Sequence, residues 1–119
     1  MKLRNVLFAC LMGLTVLGAA GVASAADVRM FIRHEVADFG AWRKAYDSFA
    51  PSQKKLGVTY EAVYQSADDP NDVTVIHDFH SLEKAKAFAA SSELKAAMEK
   101  AGVKGPPQIW YTTKSNKTK

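Results

Sequence analysis

Cysteine is nearly absent from this sequence, and so are the motifs of cofactor and nucleic-acid chemistry. Its 119 residues include one cysteine, Cys10. A single thiol excludes both an intramolecular disulfide framework and a cysteine-based zinc site. The seven glycines are scattered, so no phosphate-cradling loop or dinucleotide fingerprint can be drawn, and no nucleophilic triad motif is present. Lysines alternate with glutamates along the chain rather than forming a basic face, which argues against a nucleic-acid partner.

The N-terminus has the composition of a secretory signal peptide. Two basic residues, Lys2 and Arg4, precede an apolar stretch at 6–17, and the small residues Ala23 and Ala25 form a cleavage pattern. A membrane anchor would need about 20 strongly apolar residues, a length that residues 6–26 just reach, but the last third of that range is mostly Gly, Ala and Ser, and no basic cluster follows it. We therefore expect residues 1–25 to be cleaved, leaving a periplasmic or secreted protein with no membrane contact.

Cleavage would remove the only cysteine and leave a single domain. We assign residues 26–113 to that domain and 114–119 to a flexible polar tail. Loss of Lys2 and Arg4 lowers the formal net charge from +4 to +2. A chain this short buries a modest share of its surface, so self-association would stabilise it.

The hydrophobic pattern alternates between the strand and helix periods. Strands are predicted at 28–34, 58–66, 73–80 and 108–113. Asp38 can cap a first helix that restarts near Pro51, and Ser81 a second that restarts at Ser91 or Ser92 and ends at Gly102. The order βαββαβ is that of the ferredoxin-like α+β fold. It predicts a four-stranded antiparallel sheet in the order 4-1-3-2 with both helices on one face.

Strand parity separates a helix-facing side of the sheet from an outer side. A six-residue turn at 67–72 would pair Ser66 with Val73, which places Glu61 opposite Asp78 on the outer side and Tyr60, Ala62 and Tyr64 under the helices. The outer side then mixes apolar groups with charges, namely Arg29, Phe31, Arg33, Glu61, Val63, Ile76, Asp78 and Trp110. Such a face is too apolar for water and too polar for a dry core. We expect it to form a homodimer interface, either with a pocket for a small organic molecule or as an interface alone.

Glu61 and Asp78 are the candidate catalytic residues. Like charges across a strand pair destabilise each other, so either one carboxylate has a raised pKa suited to acid–base catalysis, or Arg29 or Arg33 lies between them. The candidate ligand-binding residues are Phe31, Arg33, His34, Ile76 and Trp110. His34 follows the first strand and either points into the mouth of a pocket or binds the loop before the helix.

The three histidines do not predict a metal site. His77 and His80 are three residues apart on one strand and hence on opposite faces, while His34 and His80 lie at opposite ends of the sheet. With no pair able to converge and no cysteine nearby, no metal is expected. Trp42 is assigned to the core.

Several segments resemble the dimeric α+β barrel superfamily, and most closely its small bacterial branch of antibiotic-biosynthesis-monooxygenase and cyclase-like domains. They are His34–Trp42, Asp69–Asn71, Phe79–Phe88 and Met98–Pro107, and the likeness extends over about Asp27 to Thr113. The resemblance implies a homodimer whose sheets pack face to face.

The resemblance also limits the functions expected. The superfamily includes cofactor-independent oxygenases, polyketide cyclases and haem-degrading enzymes, and the last depend on an Asn, Trp and His set for which no Asn can be assigned here. No cofactor is therefore expected. We expect a small exported homodimer that binds an organic molecule between its sheets, as a cofactor-independent monooxygenase or cyclase-like enzyme. The alternative is a non-catalytic stress-response or binding module whose sheet face is only a dimer interface.

Overall fold

The computed structural model describes residues 27–115. The predicted signal peptide and the end of the polar tail lie outside this range. The elements are β1 Val28–Val36, α1 Phe39–Ser48, α2 Ala50–Lys55, β2 Tyr60–Gln65, β3 Asp72–Phe79, α3 Leu82–Ala89, α4 Ser92–Lys100 and β4 Val103–Thr112. In the described range no helix is both long and apolar enough to cross a membrane.

The four strands form one sheet in the order β2-β3-β1-β4, and each neighbouring pair is antiparallel. The helices cover one face of it. This confirms the predicted ferredoxin-like α+β fold and its strand order. β1 and β4 both extend beyond their predicted limits, because β4 already begins at Val103, where it pairs with Val36.

Local sequence signals set the helix limits. Asp38 accepts a hydrogen bond from the Ala41 N–H at 2.8 Å, which satisfies one of the free donors at the start of α1. Pro51 occupies the first turn of α2, where a missing N–H costs nothing. Ser81 and Ser91 cap α3 and α4 in the same way as Asp38, so each predicted helix is a pair of short helices, as its restart signal indicated.

The core lies between the helices and the inner side of the sheet. Large side chains from both layers are almost fully buried there, including Met30, Val75, Phe79 and Phe88. Burying each of them contributes about 1.5–3 kcal/mol. Trp42 of α1 is also buried in this layer, as its assignment to the core predicted.

The predicted pairing of β2 with β3 is wrong by one residue. The Ser66 N–H donates to the Asp72 carbonyl at 2.9 Å. The turn is therefore 67–71, one residue shorter than predicted, and Glu61 lies opposite His77. A slip of one residue moves every side chain of a strand to the other face. Tyr60 therefore points to the outer face and Glu61 to the helix side. The edge position of β2 leaves Glu61 exposed to solvent, which makes a charge tolerable on that side.

Candidate functional site

A hydrogen-bonded group of three residues lies on the helix side of the sheet. Tyr46 of α1 donates its hydroxyl to Glu61 Oε1 of β2 at 2.8 Å. The same hydroxyl lies 3.0 Å from Nε2 of His77 on β3. Glu61 and His77 are direct cross-strand partners. The register of the sheet therefore places both side chains within hydrogen-bond distance of Tyr46 on α1.

The hydrogen bonds and the burial of His77 together define its state. Because the Tyr46 proton points to Glu61, the His77 Nε2 carries a hydrogen and donates it to the Tyr46 oxygen. His77 is 2% exposed, and burial lowers its pKa to about 4. Its Nδ1 has no partner. Burial, followed by the bond to Glu61, raises the pKa of Tyr46, so the tyrosine remains a neutral phenol.

A small cavity of about 30 Å³ lies beside this group, between α1, α2, α4 and the sheet. On this scale it has room for about two water molecules. Its walls are mainly apolar, with Ile32 and Val75 below and Leu94 and Met98 above. Three polar side chains also line it: His34, Tyr46 and Gln53.

His34 lines the cavity with both ring nitrogens unpartnered. It is 7% exposed, and its ring meets the Trp42 ring edge-on with centroids 5.8 Å apart. Burial lowers the pKa of His34 to about 4, so the imidazole is neutral near pH 7 and offers one donor and one acceptor. Of the two predicted orientations, the structure has the one toward a pocket rather than toward the loop.

Three residues of this region, Gln53, Tyr46 and His77, were not predicted from the sequence as site residues. Gln53 is 4% exposed; its Nε2 makes no hydrogen bond of good geometry, but its approach to the Tyr46 hydroxyl lowers the pKa of Tyr46 and so opposes the effect of Glu61. For Tyr46 a signal was available, since a tyrosine in the buried stripe of a helix needs a partner for its hydroxyl. His77 had one too, because its parity on β3 matches that of the core residues Val75 and Phe79. Gln53 carried no such signal.

The predicted carboxylate pair does not form. Asp78 lies on the outer face, where Arg29 binds it through two hydrogen bonds of 2.8 and 2.9 Å, while Glu61 lies on the helix side. An arginine was predicted to lie between the two carboxylates; Arg29 does bind Asp78, but Asp78 is the only carboxylate of the pair that it contacts. Arg33 makes the equivalent pair with Asp72, at 3.0 and 2.7 Å.

The remaining predicted ligand residues stay together on the outer face. Phe31 pairs with Ile76 on one side and Trp110 on the other, and its ring stacks on that of Trp110 with centroids 5.1 Å apart. Trp110 is 42% exposed. His34 is separated from this group by the thickness of the sheet. The predicted ligand set therefore divides between two faces.

No group of three or more His, Cys, Asp or Glu side chains within residues 27–115 is arranged to hold a metal ion. His34 and His77 both belong to the helix-facing side. His34 lies opposite Val73 on β3, however, so Val75 lies between it and His77 on that side. The expectation of no metal and no cofactor stays a prediction.

Comparisons with known proteins were made from both sequence and structure. No family model matches the sequence, and no curated protein does either. Solved structures do match. A Bordetella bronchiseptica protein named as an antibiotic biosynthesis monooxygenase superposes with a TM-score of 0.68 at 14% identity, covering 76% of this chain and 99% of its own.

Two further structures have the same fold. A cofactor-independent oxygenase from Streptomyces nogalater has a TM-score of 0.64 at 12% identity, with 78% of this chain and 97% of the oxygenase covered. A Caulobacter crescentus protein, again named as an antibiotic biosynthesis monooxygenase, has a TM-score of 0.63 at 17% identity, covering 78% and 93% of the two chains. The predicted resemblance to this group of α+β folds is thus confirmed at the level of the fold.

Proposed function

We propose that this protein is a cofactor-independent oxygenase acting on a small, electron-rich aromatic molecule that carries an ionisable hydroxyl group. The observation that carries the proposal is the cavity under α1. Its mainly apolar lining includes His34, whose two ring nitrogens have no hydrogen-bond partner, and Gln53, whose Nε2 makes no hydrogen bond of good geometry. Buried polar groups without partners are costly, and a ligand with matching polar groups would satisfy them. The fold shared with a cofactor-independent oxygenase supports the reaction class.

The proposed location differs from the one expected from the sequence. The substrate is placed between the sheet and the helices instead of between two sheets. On the outer face the charged groups already satisfy one another, Arg29 with Asp78 and Arg33 with Asp72. The inner cavity holds the unsatisfied groups, and ligands bind preferentially where apolar walls surround a few free polar groups.

The cavity is too small for an aromatic ring in the described conformation. Its volume of about 30 Å³ suits water, so substrate binding has to displace side chains of the overlying α4. Met98 is the side chain best suited to move, because it is partly exposed and an unbranched thioether adapts its shape easily. The proposal therefore includes an opening of the cavity at Met98.

The chemistry requires proton removal and an aromatic anion. A substrate with a reactive CH₂ group conjugated to its hydroxylated ring loses one proton to give an anion. The anion transfers an electron to O₂, and the two radicals combine into a peroxide anion that takes up a proton. Loss of water from the hydroperoxide converts CH₂ into C=O. One O₂ is consumed, one oxygen atom enters the product and the other leaves as water, so no external reductant is needed.

The neutral His34 suits the step that forms the anion. Whichever tautomer it adopts, one nitrogen can donate to the developing oxyanion, and the amide of Gln53 supplies a second donor. Donors placed in a dry site stabilise developing charge more strongly than water does. Trp42 and Tyr46, whose rings stack with centroids 4.8 Å apart, both line the cavity, so an aromatic substrate would pack against aromatic side chains.

Homodimer formation and export are part of the proposal. The outer face presents a stacked aromatic pair, Phe31 and Trp110, beside two exposed tyrosines, Tyr60 and Tyr64. Exposed patches of this kind mark interfaces, and a second copy of the chain is the occupant we propose. The signal-like residues 1–25 support a periplasmic or secreted location.

Oxygen uptake by the purified protein tests the function. The mature chain, treated with a chelator, is mixed with small hydroxylated aromatics of one or two rings that contain an activated CH₂ group, and O₂ is followed with an electrode. We expect one O₂ consumed per ketone formed, with labelled oxygen from ¹⁸O₂ in the product. His34→Leu should lower the rate about 100-fold, whereas the matched His80→Leu change, on the exposed end of β3, should not. A wild-type protein that binds these compounds without consuming O₂ would favour the non-catalytic binding module.

A further inference from the structure

The Tyr46 hydroxyl links the cavity to a surface cleft through its bond to Glu61, and Gln53 lines both spaces. Tyr46 lines the buried cavity. Its hydrogen-bond partner Glu61 lines a surface cleft between α2 and the edge strand β2, together with Lys54 and Thr59. The bond from Tyr46 to Glu61 is 2.8 Å long. A proton can therefore pass from the cavity to solvent through a single hydroxyl group.

The direction of the hydrogen bonds suits proton transfer outward. Tyr46 donates to Glu61, and the His77 Nε2–H donates to the Tyr46 oxygen. The phenolic oxygen has one further acceptor position, for which a hydroxyl group in the cavity would compete with the amide of Gln53. Because burial and Glu61 raise the pKa of Tyr46, a free phenolate is disfavoured. The tyrosine must then gain and lose its protons together.

The stability of the fold does not account for this group. His77 is buried among aromatic rings, with the Phe88 ring edge-on at 5.1 Å between centroids, and its Nδ1 has no partner. An apolar residue at this position would avoid the cost of burying an unpaired polar atom. The polar side chain therefore fits a role in orienting Tyr46 better than a role in core packing.

We propose that Glu61 is the terminal proton acceptor of the site, taking the substrate's proton through Tyr46, with His77 as the positioning residue; this rests on the proposed function. In the step, the substrate O–H bond breaks and its proton binds the Tyr46 oxygen. The Tyr46 proton moves at the same time to the Glu61 carboxylate. The substrate is left as an oxyanion, and Glu61 then releases its proton to water in the cleft.

The test uses para-nitrophenol as the probe, because its neutral and anionic forms have different absorption bands. The mature chain is titrated with it at a pH about one unit below the probe's own pKa, so that the free probe is mostly neutral. We expect wild type to bind it as the phenolate. Glu61→Gln and Tyr46→Phe should still bind it as the phenolate, but stopped-flow absorbance should show the bound phenolate forming at least tenfold more slowly. Glu83→Gln, an exposed glutamate on α3, serves as the matched control and should behave as wild type.

Kinetics supply a readout that a purely structural role would not change. Glu61→Ala should lower kcat for oxygen uptake about 100-fold, within the range for a lost acid–base group, while KM stays within about twofold. Added acetate should restore the rate in proportion to its concentration, because the vacated position opens to the surface cleft. His77→Gln, which keeps a donor group, should retain more activity than His77→Leu.

The outcomes separate this inference from the function it rests on. If wild type neither binds the probe nor consumes O₂, the proposed function fails and the relay fails with it. If wild type is active but Glu61→Gln forms the bound phenolate as fast as wild type and Glu61→Ala keeps its rate, the oxygenase stands and the relay is overturned. Loss of activity in Glu61→Ala without rescue by acetate, together with unfolding of Glu61→Gln, would also overturn it by showing a structural role.

Discussion

Acid should destabilise this protein through its two buried histidines. His34 and His77 are neutral when folded, because burial lowers the pKa of each to about 4. In the unfolded chain a histidine titrates near about 6.5. The unfolded state therefore binds more protons as the pH falls below that value, and the stability that is fully present above it is lost progressively toward the folded pKa.

The size of the effect follows from the two pKa values. A full shift from 6.5 to about 4 corresponds to about 3 kcal/mol for each histidine. Between about pH 7 and about pH 5 each should lose roughly 2 kcal/mol, and the two together roughly 4 kcal/mol. A small domain has about 5–15 kcal/mol in total, so the loss is a large part of its stability.

Urea unfolding at a series of pH values measures this loss. Because carboxylates titrate in the same range, the informative quantity is the difference between wild type and the double variant His34→Gln/His77→Gln. In the double variant, the free energy of unfolding should change less steeply with pH than in wild type. The difference in slope should reach about 2.7 kcal/mol per pH unit, the value for two protons. His80→Gln is the control, since the His80 side chain is 72% exposed. Equal slopes in wild type and the double variant would refute the reasoning.

Three other predictions concern the cavity, the outer face and the N-terminus. Met98→Trp should fill the cavity and abolish para-nitrophenol binding. Leu82→Trp, at an exposed position of α3, should bind the probe as wild type does. Unchanged binding by Met98→Trp would place the probe elsewhere. Trp110→Glu should weaken the homodimer by about 3–5 kcal/mol in sedimentation equilibrium, while Leu82→Glu should not, and a wild-type monomer at micromolar concentration would contradict the interface. Intact-mass measurement of exported protein should give a chain beginning at Ala26 or Asp27, and retention of Met1 would contradict cleavage.

The fold could be predicted because independent local signals agreed. Alternating apolar residues marked β1 and β3, and Asp38, Ser81 and Ser91 each capped the helix that the periodicity required. The order of these elements permits few topologies. The outer aromatic pair of Phe31 and Trp110 also followed from parity, since both strands involved have clear alternation.

The site could not be predicted in the same way because it depends on register. The turn after Ser66 has two plausible lengths, and composition does not distinguish them. Choosing the wrong one placed Glu61 beside Asp78 and away from Tyr46. The inner polar group also needs three separate elements, α1, β2 and β3, to meet at the Tyr46 hydroxyl. Periodicity assigns residues to faces, but it does not give the distances between side chains on different elements.

The most direct test of the central claim is where an aromatic ligand binds. We would label the methionine methyl groups of the mature protein and record NOEs between them, the aromatic side chains and bound para-nitrophenol. The account predicts NOEs from the probe's ring protons to the Met98 methyl group and the His34 ring. NOEs to Phe31 and Trp110 instead would place the ligand on the outer face and contradict a site between the helices and the sheet.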